Sequence, residues 1–250
     1  MKVALFGKNS DSIRHFFSEG KSSLIPEYGF EIADDKPDVI ISYGGDGTLL
    51  SAERKFPGIP KLPIRDSKVC KKCPLHTTEH LLQKLSEGKI KLENYPKLEA
   101  KSRTEDILAI NDLVVRNSTP MHALRFRVYL NHKLIRPEVI IGDGVVATTV
   151  FGSSGYYQSI TRKTIDKDFA LAFSNTTFPV EPVKFLKDDR IRVEIIRGPA
   201  TLSSDNNPKF YTLKEGDFVT ISASPHAANI YVEKTLRCSD CIILRDKRLR

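Results

Sequence analysis

The chain has 250 residues, 40 % of them hydrophobic, with a formal net charge of +8 and a pI near 9.2. That is enough for one large or two ordinary domains with a real core, and no apolar run approaches the roughly 20 residues needed to span a bilayer. The positive charge admits polyanionic partners, phosphorylated metabolites among them, but no basic helix is interleaved with aromatics as a nucleic-acid surface would require.

The N-terminus, MKVALFGKNS, lacks the long apolar stretch of a signal peptide and reads as a strand over 2–6 followed by a loop; a cytoplasmic protein is expected. Ser10 or Asp11 can cap a helix in which Ile13, Phe16 and Phe17 share a face and Gly20 is the stop. A short strand over 30–33 and a turn over 34–38 lead into the apolar run Val39-Ile40-Ile41, a buried strand. The run breaks into Gly44-Gly45-Asp46-Gly47-Thr48 and resumes at Leu49 as a helix. Glycines let the backbone turn tightly and let a phosphate approach without Cβ clashes. The helix behind them offers the positive end of its dipole to an anion. A carboxylate beside bound phosphates suits a group that handles a proton or a metal, whereas a plain turn needs one Gly rather than three.

Residues 56–64 read as extended, and Thr77 or Thr78 opens a helix with Leu81, Leu82 and Leu85 on one face and Gly88 at its end. The first domain, α/β with a mostly parallel sheet, is expected to close near residue 100. Beyond it the period drops to 2. Leu124, Phe126, Val128 and Leu130 alternate with polar residues, Asn131-His132 makes a turn into Leu134-Ile135, and Ile191, Val193 and Ile195 alternate again. Phe218–Ser222 and Asn229–Val232 read as two more strands, giving an antiparallel β-sandwich-like domain over 101–235 and a tail over 236–250.

The four cysteines form two pairs, Cys70-x-x-Cys73 and Cys238-x-x-Cys241, the ligand inventory of a four-thiolate zinc site. Sharing one Zn²⁺ requires the tail to return to the first domain; free thiols or redox pairs are the alternatives, and disulfides are disfavoured in the cytosol. In Ala109-Ile110-Asn111-Asp112-Leu113 an Asn-Asp pair interrupts an apolar run, so both side chains need hydrogen-bond partners or a ligand; a plain turn is the other reading. Gly142-Asp143-Gly144 and Gly152-Ser153-Ser154-Gly155-Tyr156 flank a strand and can bring backbone and hydroxyls close to a ligand. His226 in Ser224-Pro225-His226 could reach a phosphate, His76 could replace a zinc ligand, and Asp205 in Ser204-Asp205-Asn206-Asn207-Pro208 reads as a hairpin turn.

GGDGT at 44–48, AINDLVV at 109–115 and DGVVATTVFGSSGYYQS at 143–159 stand in the order and spacing of the NAD kinase family, which the chain resembles from its first strand to about residue 235. The resemblance implies that Asp46 is a general base for the adenosine ribose 2′-hydroxyl of NAD. It implies that Gly44, Gly45, Gly47 and Thr48 hold phosphates, and that Asn111 and Asp112 hold the adenine and ribose region. Asp143 is implied for the nicotinamide half, and Ser154, Gly155, Tyr156 and Ser159 for the adenine pocket. It further implies ATP or polyphosphate as donor with Mg²⁺, and a homodimer or homotetramer. Two departures stand out. The family's G-h-N-x-G-x-L-G-F segment is replaced by Pro63-Ile64-Arg65-Asp66-Ser67-Lys68-Val69 and the first Cys pair, and Phe151 stands where the family has a small hydroxyl residue. They leave open a dinucleotide-binding regulatory protein, or a kinase acting on another hydroxyl.

Overall fold

The structure is a computed structural model that describes residues 1–7, 13, 24–65 and 74–234. In chain order the strands are β1 (Lys2–Gly7), β2 (Glu31–Ile32), β3 (Val39–Tyr43), β4 (Lys61–Ile64), β5 (Lys91–Lys101), β6 (Asp106–Ala109), β7 (Asp112–Asn117), β8 (Leu124–Leu130), β9 (Lys133–Leu134), β10 (Ile140–Gly142), β11 (Gly144–Thr148), β12 (Phe169–Ser174), β13 (Val183–Phe185), β14 (Arg190–Arg197), β15 (Ala200–Ser204), β16 (Tyr211–Leu213) and β17 (Phe218–Val232). Helices α1 (Leu24–Glu27), α2 (Asp46–Lys55) and α3 (Thr78–Ser86) fall among the early strands, and α4 (Tyr156–Thr161) follows β11. The chain divides into two compact units, Met1–Tyr95 with Ala228–Arg250, and Pro96–Ala227.

The first unit is built on parallel strands. β3 lies between β1 and β4, β2 flanks β1, and Ile230 near the end of β17 pairs with Lys61 of β4. A parallel sheet is covered on both faces, which is why β3 is an unbroken apolar run rather than an alternating one. Val39 and Ile41 pack with Val3, Leu62, Leu81, Leu82 and Leu85, whereas Ile40 packs with Ala4 and Ala52 of α2 on the other face. The helix expected over Leu81 and Leu85 is α3. Its N-cap Thr77 accepts from the His80 N–H (3.3 Å), and Gly88, at φ +64°, ends it. There the Gly88 N–H bonds the Leu85 carbonyl and the Lys89 N–H bonds the Lys84 carbonyl, a Schellman ending. Of the helix expected after Ser10, only Ile13 is among the described residues, and it is buried. A buried Lys61 in β4 pairs with Glu53 of α2 and bonds the Phe56 carbonyl, fastening that helix to the sheet.

The second unit is an antiparallel sandwich. One sheet has six strands in the order β13-β12-β11-β7-β15-β16. The other carries β10-β8-β14 and the first half of β17, with β9 beside β8 and β6 beside β5. The inward residues of both sheets form one core, among them Phe126, Val128, Val145, Ala147, Leu171, Phe173, Val193 and Ile221. The Phe169–Phe173 stretch shows how the pattern chooses faces: its large residues enter the sandwich, while Ala170 and Ala172 make room for Tyr157 of α4 and Ile165. The expected turn at Asn131-His132 has both residues at positive φ, 48° and 69°, and connects β8 to β9.

Two expectations are corrected. The helix after the triple glycine starts at Asp46, not Leu49, because Gly44 alone takes the turn and the Gly45 carbonyl already accepts from Thr48 (3.0 Å) and Leu49 (3.2 Å). Low helix propensity for Gly hid that start. The strands expected at 218–222 and 229–232 are one strand, β17, running through Pro225; its first residues pair with β14 and its last belong to the first unit.

Candidate active site

In the first unit, β3 delivers Tyr43 to the start of the loop and α2 leaves it. Gly44 sits at φ +152°, where a Cβ would lie 2.3 Å from Thr48 Oγ1, so only glycine fits. Its N–H donates to the Ile64 carbonyl (2.9 Å), tying the loop to the end of β4. Asp46 occupies the first turn of α2, where the helix dipole favours an anion. Arg65, directly after β4, places Nη2 2.7 Å from Asp46 Oδ1, with the side chains 19 % and 34 % exposed. Loop, carboxylate and guanidinium thus gather at the carboxyl ends of parallel strands, the end where open α/β sheets bind ligands.

In the second unit the ends of three neighbouring strands meet around Asn111 and Asp112. Thr148 pairs with Asp112 across β11 and β7. The Asn111 carbonyl accepts from the Thr149 N–H (3.0 Å) and Thr148 Oγ1 (3.2 Å), and Thr149 Oγ1 donates to the Ile110 carbonyl (2.5 Å). Gly152 lies against this turn; a Cβ there would fall 2.1 Å from the Asn111 carbonyl oxygen. The Asp205 carboxylate accepts from the N–H groups of Ile110 (3.0 Å), Asn111 (2.8 Å) and Asp112 (3.2 Å), and its own N–H returns to the Asp112 carbonyl (2.9 Å). The backbone of the Asn-Asp pair is therefore fully held, which leaves its side chains for other work. Asn111 Oδ1 is buried with no hydrogen-bond partner among the described residues. Asp112 is 8 % exposed; burial, and then the nearby Asp205 charge, push its carboxyl up to about 7. A buried carboxyl near neutrality, beside an amide oxygen with no partner among the described residues, makes this turn a candidate ligand site.

The other expected residues fall as follows. Tyr156 is half-buried at the start of α4, while Ser154, Gly155 and Ser159 are exposed, Ser159 Oγ donating to the Tyr156 carbonyl (2.7 Å). Asp143 directly precedes β11, at the opposite end from Thr148 and about 17 Å from it along the strand, and accepts from Asn175 Nδ2 (2.7 Å). It is not brought to Asn111 and Asp112. His226 is an exposed residue within β17 whose N–H donates to Ser224 Oγ (3.0 Å). Cys70, Cys73, Cys238 and Cys241 lie outside the described residues. Among the described residues no group of three His, Cys, Asp or Glu could hold a metal ion, and no helix is long and apolar enough to cross a membrane.

Sequence reasoning missed two residues. Asp205 does sit in a turn, at φ 47°, but its carboxylate caps backbone more than ninety residues away, which no local pattern announces. Arg65 could have been found, since it directly follows a parallel strand adjacent to the one that delivers the glycine loop.

Fold and loop together define a class: a parallel α/β unit with a glycine-flanked aspartate opening a helix, followed by an antiparallel β sandwich. No protein-family model matches the chain. The NAD kinase of Sulfurisphaera tokodaii is 31 % identical over 247 residues, covering 92 % of this chain and 94 % of that relative. The NAD kinase of Saccharolobus solfataricus is 28 % identical, covering 92 % and 93 %. Among solved structures, an NAD kinase from Archaeoglobus fulgidus in complex with ATP superimposes with a TM-score of 0.77 at 21 % identity, covering 99 % of this chain and 98 % of that one. Yeast NADH kinase complexed with NADH gives 0.78 at 17 % identity, covering 100 % and 87 %; at these identities both speak for the fold. The chain belongs to the NAD kinase family.

Proposed function

We propose that this protein is an NAD kinase, transferring the terminal phosphoryl group of ATP or inorganic polyphosphate to the adenosine ribose 2′-hydroxyl of NAD, to give NADP. The observation that carries the reading is the position of Asp46, in the first turn of α2 behind a glycine that no other residue can replace, in a chain of this family. Asp46 takes the hydroxyl proton as the ribose oxygen bonds to the phosphorus and the bond to the departing ADP breaks. Gly44, Gly45, Gly47 and Thr48 hold phosphate oxygens. In the second unit, Asn111 and Asp112 take the adenine and ribose groups, Tyr156 with Ser154, Gly155 and Ser159 lines the adenine side, and Asp143 serves the nicotinamide half. Phosphoryl transfer needs chiefly positioning and charge neutralisation, which these groups provide.

Mg²⁺ enters with the donor. It is held largely by phosphates and water rather than by a protein cage, which fits a loop of backbone and one carboxylate, and it neutralises charge on the donor oxygens. A structural Zn²⁺ on Cys70, Cys73, Cys238 and Cys241 is proposed from the two C-x-x-C pairs; the return of β17 to the first unit supports it. A homodimer or homotetramer and a cytoplasmic location complete the reading.

The test is incubation with NAD, ATP and Mg²⁺, with NADP measured by a coupled dehydrogenase. NADP is expected from wild type, and Asp46→Asn is expected to lose about 10²-fold or more in kcat. If NAD binds and no NADP forms, the reading gives way to a dinucleotide-binding protein. Zinc below half an equivalent per purified chain rules out the shared thiolate site.

A further inference from the structure

The second unit has a cavity on the outer face of its other sheet. Along β8, β14 and β17 the residues Val128, Val193, Val219 and Ile221 enter the sandwich core, and those between them face away from it. On that outward face Tyr129 pairs across the sheet with Arg192, and Glu194 pairs with Phe218. These four, with Arg190 and with His132 from the turn between β8 and β9, line a cavity of about 400 Å³. Pockets for small organic ligands run from roughly 300 to 1,000 Å³. Asn111 and Asp112 stand at the start of β7, in the opposite sheet, so this cavity is not part of their site.

Arg192 is at its centre. Its Cζ lies 4.0 Å from the centroid of the Phe218 ring and 5.8 Å from that of Tyr129. Stacking lays a guanidinium against a ring without neutralising it and leaves its N–H groups pointing outward in the guanidinium plane. Arg190 is exposed on the same face, two residues back and about 7 Å away along the strand. Among the described residues neither arginine has an ion pair or a side-chain hydrogen bond. Glu194, the one carboxylate lining the cavity among the described residues, is already engaged. It accepts from the Tyr129 hydroxyl (2.8 Å) and stands opposite Arg127 of β8. The cavity therefore combines two uncompensated cations with two aromatic rings. The cations call for an anion, and the rings, with more room than one phosphate fills, call for a planar group attached to it. A second copy docking by this same face would set the arginines against their own equivalents.

We propose that this cavity is a second nucleotide site, which takes a nucleoside monophosphate. Arg192 and Arg190 hold the phosphate through charge-assisted hydrogen bonds. The base packs on the wall made by Tyr129 and Phe218, as bases do on aromatic side chains flanked by arginine. The site goes beyond the kinase reading and does not depend on it, since no residue of the cavity belongs to the glycine loop or to the Asn-Asp turn.

The test is isothermal titration calorimetry of the full chain at low ionic strength with NAD present. AMP is the probe, and adenosine and inorganic phosphate are its two halves. AMP is expected to bind saturably, and Arg192→Met and Arg190→Gln each to weaken it by about tenfold or more, the scale of one charge-assisted hydrogen bond. Met keeps an apolar stem over Phe218, and Arg190 makes no ring contact among the described residues, so melting temperatures should stay within a few degrees of wild type. Adenosine and phosphate should each bind at least about tenfold more weakly than AMP. A wild type that does not bind AMP overturns the inference. So do arginine variants with wild-type affinity, or either half alone binding as tightly as AMP. AMP binding that Asn111→Ala abolishes and both arginine variants retain also overturns it, by placing the nucleotide at the Asn-Asp turn. Loss of oligomers in sedimentation of Arg192→Met, with no AMP bound by wild type, assigns the face to a second copy instead. Failure to make NADP bears on the kinase reading alone.

Discussion

Replacing Asp205 with Asn tests how the second unit holds its Asn-Asp pair. In the wild type Asp205 Oδ2 accepts from Ile110 N–H and Oδ1 accepts from Asn111 and Asp112 N–H, at 2.8–3.2 Å. An Asn side chain has one acceptor oxygen, so its NH₂ must face an N–H. Kept toward Asn111 and Asp112, the oxygen leaves Ile110 without an acceptor, a loss of about 1–3 kcal/mol, and two charge-assisted bonds become neutral at about 1 kcal/mol each. The sum is on the order of 4 kcal/mol when Asp112 is protonated. Above pH 7 Asp112 is ionised, and removing the Asp205 charge relieves a repulsion that helps to raise it. The net loss there should be smaller than at low pH. Urea unfolding followed by far-UV circular dichroism at pH 5.5 and 8.5 reads both losses. A variant as stable as wild type at pH 5.5, or one hurt more at pH 8.5 than at 5.5, refutes the reasoning.

Other predictions concern single groups. The Asp112 carboxyl is raised by burial first and Asp205 second, from 3.8 to about 7. Its contribution is therefore fully present below about pH 4 and is lost as pH rises through 7, on the order of 4 kcal/mol. Asp112→Asn should flatten that part of the stability–pH curve, and an unchanged slope would contradict the shift. Gly152→Ala puts a Cβ 2.1 Å from the Asn111 carbonyl oxygen and 2.4 Å from its carbon, backbone that cannot swing aside. We expect at least 2–3 kcal/mol of destabilisation in urea melts and a raised KM for NAD; wild-type values for both would show that the turn has slack. Lys61→Met removes the ammonium that neutralises the buried Glu53 carboxylate and should cost about 3–5 kcal/mol, whereas Lys61→Met with Glu53→Leu should recover most of it. Equal losses in single and double variants would mean packing, not charge, is what Lys61 supplies.

Much of this fold is legible in the amino-acid sequence. The apolar run at 39–41 predicts a buried strand, and it lies between β1 and β4 in a parallel sheet. The alternation at 124–130 and 191–195 predicts one-sided strands, and β8 and β14 pair antiparallel with those residues inside. These signals are local: the side-chain period follows from backbone geometry, and a triple glycine around Asp46 is visible in five letters. Less legible was anything that depends on partners far apart in sequence. Nothing near Asp205 says that its carboxylate will meet residues 110–112. The raised carboxyl of Asp112 follows from that meeting together with the burial that folding creates.

The opening glycines show the division most clearly. The sequence alone determined that the chain turns at these glycines between a strand and a helix around one carboxylate; Gly44 takes that turn, at a backbone angle and an approach to Thr48 that only glycine tolerates. Only the tertiary structure decided that Asp46 belongs to the helix and that Arg65 stands beside it. Ile64 and Gly44 come together through the parallel pairing of β3 with β4, and adjacency across a sheet is set by which strands pack, not by the order in which they are written.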